Sequence, residues 1–364
     1  MDSMDWIIMS AKVGLVVVML LQIVPIMVWV ERRGSALMQN RRGPNRVGPL
    51  GLLQSLADVV KFIAKEDFVP SHVEKLYFLL APCILLIPAF MTIAVVPFAG
   101  SITIGEKLVH MQLADLNVGI LYIFAIGSLG VYGIIMGGWA SNNKYSLLGA
   151  LRSSAQMISY ELSLGLSIIG IVMIFGTLNL REITMAQGQE WMFGLPKYGI
   201  LVQPIGFLIF LISSYAETNR LPFDLPEGES EIVAGYHLEY GAMKFALFMM
   251  AEYLNMLVAS CVTAVLFFGG FLMLPGMSYA IEPLSGLIAS IVSVSNPADW
   301  ARVLLEVTSF SIKVGFFMWL YVWIRWTLPR FRYDQLMNLG WKVLLPLSIA
   351  NIAVTAVLIY AKVI

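Results

Sequence analysis

The chain has 364 residues, of which 59% are hydrophobic and only 13% charged, and its 23 basic and 23 acidic residues cancel to a net charge of zero. A mean hydropathy of +0.81 excludes an ordinary soluble domain, because about 20 apolar residues in a row span a hydrocarbon layer of ~30 Å as a helix and this chain repeats such runs. The neutral balance gives no footing for a nucleic-acid partner, and none is expected.

In chain order, apolar spans are predicted at roughly 8–30, 75–98, 117–138, 152–176, 200–216, 243–268, 302–325 and 342–362. The fold class is therefore an all-α polytopic membrane protein with about eight transmembrane helices, forming a single membrane domain over 1–364. The first span lacks the basic start and small-residue cleavage site of a secretory signal, and Trp29-Val30-Glu31 carries it into a basic loop, so it reads as a retained helix. That loop opens with Gly43-Pro44 and Gly48-Pro49, which break any helix. From about Leu50 the pattern changes: Leu52, Leu56, Val59, Val60 and Ile63 recur at helical spacing, with Gln54, Asp58, Lys61 and Lys65 opposite. This predicts an amphipathic surface helix, lying on the membrane, under a partner, or packed on the chain's own helices.

The loops at about 31–74, 139–151, 217–242 and 326–341, with their flanks, carry most of the arginine and lysine, whereas the alternate loops offer little beyond Lys107, Arg181 and Lys197. By the positive-inside rule the basic loops are cytoplasmic and both termini lie on the far side; the length and the basic loops suit a bacterial inner membrane, with the termini periplasmic, better than a mitochondrial one.

Two groups of charges stand out. Loop 217–242 gathers Glu217, Asp224, Glu227, Glu229, Glu231 and Glu239 against Arg220, interleaved with Leu221, Phe223, Leu225, Ile232, Val233 and Tyr236 that a purely solvated loop does not need. Inside spans lie Glu161, Glu252, Glu306 and Lys313, each costing at least ~2.5 kcal/mol to bury in hydrocarbon. Glu306 and Lys313, two turns apart on one helix face, are expected to pair. Glu161 and Glu252 have no basic residue at i±3 or i±4, which points to hydrated, proton-exchanging carboxylates and a relay from the acidic loop through both.

Cys83 and Cys261 both fall in spans and form no Cys-x-x-Cys, while His72, His110 and His237 are scattered singly. No metal, haem or Fe–S site is expected, and no Gly-x-Gly-x-x-Gly, Walker A lysine or nucleophile elbow is found.

Three stretches are far more specific. "WVERRGSALMQNRRGPNRVGPLGLLQSLADVVKFIAKED" (29–67), "RSSAQMISYELSLGL" (152–166) and "AETNRLPFDLPEGESEIVAGYHLEYGAMKFALFMMAEY" (216–253) resemble the H-subunit family of NADH-quinone oxidoreductase, membrane components of respiratory complex I whose mitochondrial counterpart is NADH dehydrogenase subunit 1. The resemblance covers essentially the whole chain; Leu221 and Gly228 depart from the more usual alanine without removing a charge. It implies a proton-translocating subunit of the respiratory chain that forms much of a quinone tunnel, with quinone as substrate and NADH, FMN and Fe–S clusters bound by partner subunits. It assigns tunnel positions to Glu31, Arg32, Arg41, Arg42, Arg46, Asp224 and Glu227. It assigns the relay to Tyr160-Glu161, Glu229, Glu231, Glu239 and Glu252, alongside Glu217, Glu306 and Lys313 from the reading of charges. The implied partners are the other membrane subunits, the peripheral Fe–S and quinone-site subunits, and the bilayer.

Other readings remain open on the residues alone: a membrane anchor of an energy-converting hydrogenase or another dehydrogenase, a secondary cation/proton transporter, for which no inverted repeat is evident, or a purely structural anchor.

Overall fold

The computed structural model describes residues 3–104, 107–191, 194–225, 228, 233–291 and 296–362. Among them, seven helical spans are long and apolar enough to cross a membrane. In order these are α1 (Ser3–Met38), α3 (Lys75–Thr92, prolonged by a short 3-10 turn), α4 with α5 (Gly119–Gly127 and Leu129–Ala140), α6 (Lys144–Phe175), α10 (Ala242–Phe267), α12 (Pro297–Thr327) and Tyr333–Tyr360. The last of these runs through α13 (Tyr333–Asn338), a π-helical turn at Leu339–Leu344 and α14 (Leu345–Tyr360). The span predicted at 200–216 forms in two pieces, α8 (Gly199–Val202) and the 14-residue apolar α9 (Pro204–Glu217).

Gln203 sits at the break between α8 and α9, where the side chains around it satisfy its polar groups. Its Nε2 donates to Thr355 Oγ1 at 2.6 Å, and its Oε1 accepts from Asn351 Nδ2 at 2.8 Å, so the interruption doubles as the polar clamp that holds α14 to the bundle.

Helix α6 packs between α5, α9 and α14, and α10 runs between α3 and α12, with α1 against α12. Fully buried Tyr160, Ile168, Ile171, Phe210 and Phe267 fill the centre of this arrangement. Close approach relies on small residues. A Cβ at Gly133 of α5 would lie 2.7 Å from the Leu85 backbone nitrogen, and one at Gly149 of α6 would lie 2.6 Å from Gly235 Cα.

The predicted amphipathic helix is α2 (Gln54–Ala64). Its polar side is tied down by the Arg32–Asp58 ion pair at 2.6 Å, while Leu56, Val59, Val60 and Ile63 are exposed, Ile63 by 67%. The apolar stripe therefore does not pack on the chain's own helices, which leaves the membrane surface or a partner to cover it.

Four short elements fall outside the predicted spans: the antiparallel strands β1 (Ser101–Ile104) and β2 (Lys107–His110), paired from Ser101 opposite His110 to Ile104 opposite Lys107, and helices α7 (Leu180–Gln187) and α11 (Ile281–Ile291). The strands lie at the start of α1, where Asp5 pairs with Lys107 at 2.6 Å.

This end of the bundle also corrects the expected pairing of Glu306 with Lys313. Glu306 accepts the Gly100 N–H at 2.7 Å and pairs with Arg302 at 2.9 Å. Lys313 donates to the carbonyls of Gly270 and Leu272 at 2.9 and 2.7 Å. Backbone groups exposed where the chain leaves a helix need partners, and each charge is used on one of those rather than on the other.

Replacing Gln203 by leucine removes the clamp and strands Asn351 in the interior. The expected result is a loss of about 1–3 kcal/mol, read as a lowered thermal unfolding midpoint in mild detergent. An unchanged midpoint would mean that α14 is held by apolar packing alone.

Candidate functional site

At the opposite end of the bundle, where α1 runs into the first loop, residues 217–225 fold over the helix ends instead of extending into solvent. Gln156 of α6 is the fastener: its Nε2 lies 2.7 Å from the Ala216 carbonyl, 2.8 Å from the Phe223 carbonyl and 3.2 Å from Asn219 Oδ1. Asn219 takes the left-handed backbone at φ 52°, a conformation that asparagine tolerates better than most residues. Phe223 then inserts beside Tyr160, at 5.8 Å between ring centres, and stacks on Phe331 at 5.4 Å. The Phe331 N–H donates to the Pro222 carbonyl at 3.1 Å, closing the chain after α12 onto the same loop. Tyr160, fully buried, donates its hydroxyl to the Leu336 carbonyl at 2.8 Å.

Under this lid lies a cluster of buried charges. Arg220 Nε is 2.6 Å from Glu252 Oε1, and Arg220 Nη1 is 3.6 Å from Glu31 Oε2. Its guanidinium sits 4.4 Å over the Tyr253 ring, and Tyr253 donates its hydroxyl to Glu31 Oε2 at 2.6 Å. Arg325, near the end of α12, pairs with the other oxygen of Glu31. Close by, Arg330 Nη2 holds Asp224 Oδ2 at 2.9 Å. Glu31, Glu252 and Asp224 are thus matched by Arg220, Arg325 and Arg330, and all of these carboxylates are buried. Removing one partner from such an arrangement leaves an uncompensated charge, at a cost of about 3–5 kcal/mol. Asp224 Oδ1 is buried without a hydrogen-bond partner. Burial pushes the Asp224 carboxyl above the usual carboxylate range, with Arg330 and Arg325 opposing the shift.

The remaining expected residues fall around this centre. Glu161 and Glu217 are close enough for their charges to interact. Glu217 also borders a cavity of about 60 Å³ lined by Thr92, Ser214, Thr218 and Asn255 together with apolar groups, roomy enough for water by the ~10–15 Å³ per molecule that one needs. Glu239 accepts from Asn143 Nδ2 at 2.7 Å and lies 3.8 Å from His72, in a separate group of contacts. Arg32 is taken by Asp58. Arg41 and Arg42 line an open pocket with Arg33 whose walls include none of the clustered carboxylates, and Arg46 is exposed on the loop. Glu227, Glu229 and Glu231 lie outside the described residues.

Residues 11–356 match the family model for NADH dehydrogenase. The chain is 46% identical to the NADH-quinone oxidoreductase H subunit of Bdellovibrio bacteriovorus over 99% of its length and 98% of the relative's. It is 48% identical to an H subunit of the same enzyme from Koribacter versatilis, with 96% of each chain covered, and 48% identical to the one from Thermomicrobium roseum, with 97% of each covered. The chain belongs to the NADH dehydrogenase family of membrane subunits. What the sequence does not show is the pairing of the cations: Arg325 and Arg330 count there only as positive-inside charges and Arg220 only as the basic residue of the acidic loop, and nothing local marks them as partners of Glu31, Asp224 and Glu252. The absence of a basic residue near Glu252 in sequence pointed to an unpaired carboxylate; Arg220, from the preceding loop, pairs with it instead.

The same loop carries a pH-sensitive group. Burial lowers His237 to about 4, against about 6.5 for an exposed imidazole. As pH falls the unfolded turn takes up a proton before the folded one does. The stability that neutral His237 lends is therefore complete above about pH 6.5 and declines from there toward pH 4. Amide exchange over 233–240, corrected for its intrinsic pH dependence, should accelerate across that window and do so less in His237→Phe, which keeps the ring contacts with Tyr236 and Phe245. Identical acid responses in the two proteins would assign the effect to another group.

Proposed function

We propose that the chain is the membrane subunit of an NADH:quinone oxidoreductase that lines much of the quinone path and couples quinone reduction to proton translocation, in a bacterial inner membrane with the buried charge cluster toward the cytoplasm. The observation that carries this reading is the set of matched buried charges, Glu31, Glu252 and Asp224 with Arg220, Arg325 and Arg330, beneath a loop fastened by Gln156. Partner subunits bind NADH, the flavin and the Fe–S clusters, and deliver electrons to quinone at their boundary with this chain.

Reduction of quinone to quinol consumes two electrons and two protons. Negative charge arriving at the quinone competes with Glu31 and Glu252 for the arginines between them. Whichever carboxylate loses its cation in a water-poor setting then binds a proton more tightly. Arg220 is the residue placed for this exchange, since it reaches Glu252 and Glu31 together. Glu31, Arg32, Asp224 and Glu227 are the quinone-side residues in this proposal, and Glu217, Glu161, Tyr160, Glu229, Glu231 and Glu239 carry or adjust the proton relay. Glu306 and Lys313, bound to the backbone at the far end, serve as anchors there in this proposal.

The assignment is tested by purifying the chain at native expression levels in mild detergent. Flavin and Fe–S subunits should co-purify, with NADH-to-quinone activity that a quinone-site inhibitor abolishes. Isolation of the chain alone, or with a nickel-containing hydrogenase, would contradict the assigned reaction.

Within the assembled enzyme, Glu161→Gln should reduce quinone-linked turnover and proton pumping about tenfold or more, equivalent to at least ~1.4 kcal/mol in the barrier, while subunit composition is kept. Wild-type rates in an assembled variant would remove Glu161 from the relay.

A further inference from the structure

We propose that the pocket between α1 and α12 at the end bearing the first loop binds the phosphate headgroup of an anionic phospholipid, whose acyl chains run down the exposed faces of these two helices. The pocket offers about 740 Å³ of space and is lined by Arg33, Arg41 and Arg42 together with Trp29, Leu50 and Trp319. Among the described residues no carboxylate pairs with any of these three arginines, in contrast to Arg32, Arg220, Arg325 and Arg330, each of which has at least one. Three uncompensated guanidinium groups around one concavity favour an anion with several acceptor oxygens, and phosphate matches the guanidinium fork. A neutral quinone ring provides no such charge.

The rest of the pocket selects an amphiphile over a free ion. Arg33 lies 5.4 Å over the Trp29 ring, and the Trp29 indole N–H donates to the Leu50 carbonyl at 3.1 Å, so the rim is built as well as charged. Trp29 and Trp319 stand where aromatic side chains mark the boundary between headgroups and acyl chains. One turn further into each helix, Ile26 is 47% and Phe316 56% exposed, and the exposed apolar surface continues along α1 through Val18 and Leu15 and along α12 through Ile312. Basic pockets between transmembrane helices with lipid-facing walls of this kind suit phospholipid headgroups. The exposed apolar stripe of α2 follows directly after the same loop and would rest in the same interfacial layer.

The site does not depend on the quinone assignment, and its test reads lipid and not turnover. The full chain, with whatever subunits accompany it, is delipidated in mild detergent and titrated with dioleoyl phosphatidylglycerol, dioleoyl phosphatidylcholine or inorganic phosphate, with bound molecules counted by native mass spectrometry. Wild type should retain phosphatidylglycerol in preference to phosphatidylcholine and should not exchange it for inorganic phosphate. The triple variant Arg33→Gln, Arg41→Gln, Arg42→Gln should bind it at least about tenfold more weakly. Should the triple variant fail to fold, Arg41→Gln and Arg42→Gln singly, both at exposed positions, should each weaken retention. Equal retention by wild type and variants, equal binding of phosphatidylcholine, or full displacement by inorganic phosphate would overturn the proposal. So would loss of an accompanying subunit from the variants with lipid unchanged, which would make the pocket a protein-docking surface.

Discussion

Three carboxylates buried among membrane helices are tolerable only because three arginines reach them, and the architecture of the loop-bearing end follows from that requirement. Glu31 ends the membrane part of α1, Glu252 lies on α10, and Asp224 comes from the loop between α9 and α10; their cations come from that same loop and from the end of α12 and the chain beyond it. Satisfying the charges therefore draws α1, α10 and α12 together and pulls residues 217–225 down as a lid. The aromatic stack of Phe223 on Phe331 and the Gln156 contacts complete the closure with groups that carry no charge.

On the function proposed, the same balance makes the cluster sensitive to an added charge. A solvated acidic loop would take up counterions when negative charge arrives nearby, with little structural consequence. Among the described residues the buried cluster is matched three charges against three, so on this reading one arginine changes partner or one carboxylate gains a proton. Arg220 reaches two carboxylates at unequal distances, 2.6 Å to Glu252 and 3.6 Å to Glu31, and on the function proposed it is the cation placed to shift between them. The nearby Glu217 and Glu161, with a cavity of water-holding size beside Glu217, extend the polar path into the bundle.

Much of the fold was legible because the membrane imposes it. Long apolar runs must become helices there, and the predicted spans correspond to helices in every case, although 200–216 breaks at Gln203. The period of Leu56, Val59, Val60 and Ile63 located α2, but periodicity shows only that a stripe exists, not what covers it. The short hairpin of β1 and β2 and the eight-residue α7 are too brief for a period to register. For the site, the acidic loop and the intramembrane carboxylates were visible as residues out of place; of those described, Asp224 and Glu252 are buried beside arginines, whereas Glu239 falls in a separate group of contacts. Their partners were not visible. Arg325 and Arg330 meet Glu31 and Asp224 across 294 and 106 residues of chain, and sequence spacing carries no trace of such contacts. The Glu306–Lys313 expectation failed for the complementary reason: spacing on one helix put the two charges on a shared face, but backbone groups from other segments claimed each of them first.

The most direct measurement is the infrared difference spectrum of the assembled enzyme between oxidised and reduced quinone, recorded for wild type and for Glu252→Gln. If the cluster answers quinone charge by rearranging its ion pairs, reduction should produce a protonation signal in the carboxyl-stretching region that is lost or shifted in the variant. A spectrum with no carboxyl signal, or one identical in the two proteins, would contradict the coupling assigned to the cluster and leave these buried pairs as a structural clasp.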